Sequence, residues 1–121
     1  MSDDERCAAG FRFRKRERIR TRSDISRVFN EGNRWSTKGM RLNVLRNGGA
    51  ETRAVFVTVR GYGNAVARNR ARRVVSECWR LLKSTIAQGL DVVILIYPDR
   101  DCMDVRQPQL QSLVQRAKVV V

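Results

Sequence analysis

Four arginines, Arg68, Arg70, Arg72 and Arg73, fall within six residues, and such a cluster recognises phosphate rather than making or breaking bonds. Asn64 stands four residues ahead of Arg68, where its short polar side chain suits a helix N-cap after Gly61, Tyr62 and Gly63. From there Ala67, Ala71, Val74, Cys78, Leu81 and Leu82 recur at spacings of three and four, which predicts an amphipathic helix with one apolar face. Arg68, Asn69, Arg72, Arg73 and Arg80 then point away from that face, with Arg70 near its border. Mixed charge on an outer face is ordinary solvation. Here no acid occurs between Asn64 and Ser76, and like charges three and four residues apart repel by a few tenths of a kcal/mol per pair. An anionic partner would offset that repulsion.

The rest of the chain agrees with a polyanion partner. Its 121 residues carry 25 Lys plus Arg against 12 acids, a formal charge of +13. Lysine occurs only at positions 15, 38, 83 and 118, so the excess is arginine, whose planar fork suits phosphate and base stacking. Histidine is absent, which removes imidazole acid–base chemistry, Ser-His and Cys-His dyads and most zinc sites. Cys7, Cys78 and Cys102 are an odd, widely spaced set that suits a reduced cytoplasmic protein better than a disulfide framework. The longest apolar run, Val92 to Tyr97, is too short to span a bilayer, and the arginine helix lacks the large apolar anchors of an interfacial helix. These features predict a cytoplasmic protein with no membrane partner.

Residues 1–17 show no apolar periodicity and read as a basic arm, in which Phe11 and Phe13 could stack on bases or pack on the domain; residues 18–121 form one domain. Ser23 suits an N-cap for a short helix with Ile25, Val28 and Phe29 on one face and Gly32 as its stop. Residues 34–45 suit a strand, or two strands broken near 36–39. Residues 40–45 and 54–59, joined across Asn47-Gly48-Gly49, predict an antiparallel hairpin. Residues 91–97 read as a strand buried on both faces. The tail carries Leu110, Leu113, Val114 and Ala117 at helical spacing, with Asp104 and Gln107 resembling a capping box. The order α-β-β-(β)-α-β-α defines an α+β two-layer sandwich.

At residues 63–73 the chain resembles the protein subunit of bacterial ribonuclease P, whose Gly-Asn-Ala-Val-x-Arg-Asn-Arg-x-x-Arg run it carries almost unbroken, continuing through Glu77, Trp79 and Arg80. A second match runs from Arg18-Ile19 through Val28-Phe29 to Gly32, and a weaker one covers the apolar strand and the terminal helix. The resemblance implies a left-handed crossover at the arginine helix, against the usual preference. It also implies a division of labour. The RNA subunit would hydrolyse with bound magnesium, no cofactor or metal being assigned to the protein, and the protein would dock on that RNA and hold the 5′ leader of precursor tRNA, one protein per RNA. By position, Arg68, Asn69, Arg70, Arg72 and Arg73 would contact the catalytic RNA, with Asn64 and Arg80 completing the set. Ile25, Phe29, Asn43 and Arg60 would line the leader cleft, although the family places aromatics where Ile25 and Asn43 stand. Trp35 reads as a substitute platform or as a rim or core aromatic.

Three other functions compete. A ribosome-associated RNA-binding protein would share the fold without a role in cleavage. A DNA-reading helix would need polar base readers among its arginines, and only Asn69 qualifies. A protein-only nuclease could use Asp99, Asp101 and Asp104 as magnesium ligands, but these read better as a polar turn with Asp104 capping the last helix.

Overall fold

A computed structural model of the chain describes residues 22–118. Helix α1, Arg22–Glu31, is followed by strands β1, Asn33–Thr37, β2, Met40–Arg46, and β3, Arg53–Thr58. Helix α2, Ala65–Leu82, runs into a 3₁₀ turn at Lys83–Thr85, and strand β4, Leu90–Ile96, precedes helix α3, Met103–Arg116. The expected arm, with Phe11, Phe13 and Cys7, lies outside the described residues.

The sheet order is β1-β2-β4-β3. β4 is antiparallel to β2 and parallel to β3, so α2 is the crossover between parallel neighbours. This corrects the expected hairpin, because β2 and β3 flank β4 instead of pairing. The reason lies in β4: Val92, Val93, Ile94 and Ile96 are fully buried, a run that only an inner strand covers on both faces and both edges. The loop after β2 therefore arches across the start of β4, where Asn47 N–H donates to the Gly89 carbonyl and the Asn47 amide to Asp91. Residues 33–46 are two strands, turned at Lys38-Gly39 with Thr37 opposite Met40.

Strand alternation divides the sheet. Met40, Leu42, Val44, Ala54, Val92, Ile94 and Ile96 face α2 and α3 and form the main core with Val75, Trp79, Leu110 and Leu113. The other face carries α1, whose Val28 packs with Val93, joined by Ile25, Leu45, Val55 and Val57. Gly32 sets that approach, since a Cβ there would lie 2.6 Å from the carbonyl oxygens of both Val28 and Val44. Two expected caps differ. Ser23 already lies within α1, and Cys102 rather than Asp104 precedes α3, leaving Asp104 in the first turn, where its charge suits the helix dipole.

Candidate nucleic-acid interface

Asn64 caps α2 as its type predicts: its Oδ1 accepts from the Ala67 N–H at 2.9 Å. The buried stripe is Ala71, Val75, Cys78 and Trp79, rotated from the expected one, and Leu81 is exposed. At about 100° per residue the stripe centres on Val75 because Trp79, the largest side chain available, must go inward, where it meets Phe56 edge-on. The rotation redistributes the arginines. Arg68 and Arg72 fall half-buried on the flank beside β3, where Arg72 Nη1 approaches the Thr58 hydroxyl at 3.4 Å and Arg68 Nη1 donates to the Gly63 carbonyl at 2.6 Å. Asn69 and Arg73 are exposed, and Asn69 Oδ1 accepts from Arg72. Arg70 lies on the opposite flank, with its Nε 3.3 Å from the Asp101 carbonyl.

Among the described residues, Arg68, Arg70, Arg72 and Arg73 form no ion pair with a carboxylate. The partners of Arg68, Arg70 and Arg72 are neutral oxygens and Arg73 is exposed, so among the described residues no acid matches these four positive charges on one helix. Arg80 differs. It grips Glu77 one turn back through Nε and Nη2, and this bond holds the Glu77 carboxyl below its usual range. Its charge is already matched within the helix.

The α1 side gathers only part of the expected cleft. Ile25 is half-buried against the sheet, while Phe29 is 37% exposed. Val28, not Phe29, is the anchor. Asn43 is fully buried, between Arg34 of β1 and Val93 of β4, and neither its Nδ2 nor its Oδ1 has a hydrogen-bond partner. It is therefore no open platform, and such an orphaned amide costs about 1–3 kcal/mol. Arg60 is exposed in the loop after β3. Trp35 packs into the main core, on the sheet face opposite α1, and so supplies no platform to this side.

Two polar networks escaped the sequence reading. Arg53 on β3 makes paired bonds to Asp91 on β4, Nε to Oδ1 at 2.9 Å and Nη2 to Oδ2 at 2.7 Å, and reaches Asp24 on α1 at 3.6 Å. Burial pushes the Asp91 carboxyl up, but the bonds from Arg53 and Asn47 outweigh it and hold the group below the usual carboxylate range. The second network centres on Arg106 of α3, which is fully buried. Its Nε and Nη2 donate to Asp101 Oδ1 at 3.1 and 2.8 Å, its Nη1 to the Gly39 carbonyl at 2.9 Å, and its Nη2 to the Tyr62 hydroxyl at 2.7 Å. Two of the three supposed metal ligands are thus engaged, Asp101 with Arg106 and Tyr62 and Asp99 with the Gln109 amide, while Asp104 lies exposed in the first turn of α3. Among the described residues no helix is long and apolar enough to cross a membrane.

A four-stranded mixed sheet with two helices on one face and one on the other, presenting an arginine-rich helix at its edge strand, defines a small α+β domain. Residues 13–118 match the family model described as Ribonuclease P. A curated relative, the ribonuclease P protein component of Roseiflexus sp. (strain RS-1), is 39% identical over 83% of this chain and 81% of its own. Among solved structures, the ribonuclease P protein from Thermotoga maritima superposes with a TM-score of 0.74 at 28% identity, over 83% of this chain and 96% of its own. The Staphylococcus aureus ribonuclease P protein gives 0.74 at 23% identity over 87% and 98%, a likeness of fold. The chain belongs to the ribonuclease P protein family. Membership places it in the processing of tRNA 5′ ends as a protein component of ribonuclease P, and RNA binding follows from the family.

Proposed function

We propose that this chain docks on the catalytic RNA of ribonuclease P through α2 and holds the 5′ leader of precursor tRNA on the α1 side, while the RNA and its magnesium ions carry out the hydrolysis. The observation that supports docking most is the run of four arginines without a carboxylate partner on a helix whose other face is locked into the core. Charge left unmatched inside the protein is available to phosphates, and each neutralised phosphate releases condensed counterions. Asn64 acts by starting the helix and Asn69 by orienting Arg72. Arg80 contributes less, since binding RNA would mean leaving Glu77. The assignment of the chemistry to the RNA is supported by the absence of histidine and by Asp91, Asp99 and Asp101 being held by an arginine, an amide and a tyrosine.

On the α1 side the exposed ring of Phe29 is the stacking surface, with Arg60 near the end of β3 for backbone phosphates. Ile25 holds α1 on the sheet. Asn43, buried with its donor and acceptor unpaired, lines no open part of that side in this structure.

The test is reconstitution with a bacterial ribonuclease P RNA and precursor tRNA over a magnesium titration. The protein is expected to lower the magnesium required and to cleave nothing alone; cleavage by RNA-free protein, purified clear of nuclease, would end the division of labour. The leader site is tested separately by Phe29→Leu, which removes the ring at a stability cost under about 1.5 kcal/mol. Precursor binding to the reconstituted enzyme should weaken by about 1–3 kcal/mol while mature tRNA binding holds. Equal losses for both ligands would show that Phe29 acts through packing.

A further inference from the structure

We infer that Arg106, acting through Tyr62 and Asp101, is a positioning residue that sets the start of the arginine helix for RNA. Arg106 belongs to α3, which carries none of the docking side chains, yet its guanidinium reaches into the turn that leads to α2. Tyr62 lies two residues before the Asn64 cap, between Gly61 at φ +81° and Gly63 at φ +139°, where the chain reverses into the helix. Its hydroxyl donates to Asp101 Oδ1 at 2.6 Å and accepts from Arg106 Nη2 at 2.7 Å. Burial foremost, with Asp101 beside it, pushes the phenol up to about 12, so it stays a protonated donor at neutral pH. The Asp101 backbone carbonyl in turn lies 3.3 Å from Arg70 Nε. One buried cation therefore fixes the approach to the helix and, through Asp101, one of its arginines.

Core packing alone does not explain an arginine at this place. A buried ion pair such as Arg106 with Asp101 carries a desolvation cost, and replacing the whole pair by apolar side chains of similar volume is often as stable. What an apolar residue lacks is the fork. Arg106 donates to the β1–β2 turn at Gly39, to the end of β4 at the Tyr97 carbonyl, and to Tyr62, joining three separate segments. The glycine-flanked turn at residues 61–63 is thereby anchored through Tyr62.

The inference rests on α2 being the docking helix, and its test separates the two. A loosened turn must be reordered when RNA binds, so affinity falls; the finished complex keeps its phosphate contacts, so the salt dependence does not change. Removing docking arginines lowers affinity and flattens the salt dependence together. Four proteins are compared on a bacterial ribonuclease P RNA well below their melting temperatures: the parent, Arg68→Ala with Arg72→Ala, Tyr62→Phe, and Arg106→Lys. The double variant should flatten the slope. Tyr62→Phe, which removes one hydroxyl and little volume, should bind about three- to tenfold more weakly with the parent slope. Arg106→Lys should do the same or more, and if it fails to fold Tyr62→Phe decides alone. Parent affinity in Tyr62→Phe, or a flattened slope, overturns the positioning role. A double variant indistinguishable from the parent in affinity and slope overturns the docking reading beneath it.

Discussion

Arg106 and Arg72 are the same side chain on two helices that pack together, in opposite circumstances. Arg106 is fully buried and donates to a carboxylate, a phenol, a glutamine amide and two backbone carbonyls. Arg72 is half-exposed and meets only a threonine hydroxyl and an asparagine amide. Three arginines that serve the fold have an acid beside them, Asp101 for Arg106, Asp91 for Arg53 and Glu77 for Arg80, while Arg116 ties α3 to β1 through the Ser36 carbonyl alone. Along Arg68 to Arg73 no acid is supplied, and folding alone gains nothing from four adjacent positive charges. On the proposed docking, the difference is between arginines that serve the fold and arginines left for the RNA.

The comparison breaks most visibly at Arg106. Arg106→Met keeps the apolar stem but leaves the Asp101 carboxylate without its cation and removes a donor from Tyr62 and from the Gly39 and Tyr97 carbonyls. Chemical denaturation should show a loss of about 3–5 kcal/mol, the cost of removing one member of a buried pair. A loss below about 1 kcal/mol would mean that the network serves no structural purpose.

Asp91 gives a smaller effect with a defined pH dependence. Its carboxyl lies below the ordinary 3.8 in the folded chain, so it contributes stability above that value and loses it as pH falls through the folded value. The parent's melting temperature should therefore decline on acidification below about pH 4. Asp91→Asn should start lower at pH 7, by about 1–3 kcal/mol, and decline less steeply, because Arg53 then faces a neutral amide at every pH. Parallel acid limbs in the two proteins would remove Asp91 from the group of carboxylates that serve the fold.

Much of this division was legible in the sequence, and the reasons are local. The cap at Asn64 and the acid-free run specify α2, and the unbroken apolar run specifies β4 as an inner strand. Two adjacent valines, Val74 and Val75, leave the helix phase open by one residue, and only the bulk of Trp79 against the sheet closes it. β2 and β3 are neighbours in sequence but not in the sheet, because covering β4 on both edges decides the order. Arg106 was hidden for a different reason: an arginine on an amphipathic helix looks solvated, and its partner Gly39 lies 67 residues away. The leader side was half visible. Alternation places Asn43 opposite Leu42 and Val44, but only the packed position of α1 shows whether that face is open or closed.

The most direct measurement is the salt dependence of binding to a bacterial ribonuclease P RNA by the parent and by the Arg68→Ala, Arg72→Ala double variant. Each lost phosphate contact should remove about 0.7–0.9 from the log–log slope, so the pair should flatten it by about 1.4–1.8. Folding stability should change by less than about 0.5 kcal/mol. An unchanged slope and affinity in a folded double variant would contradict the account, because the arginines without acids would then serve no anionic partner.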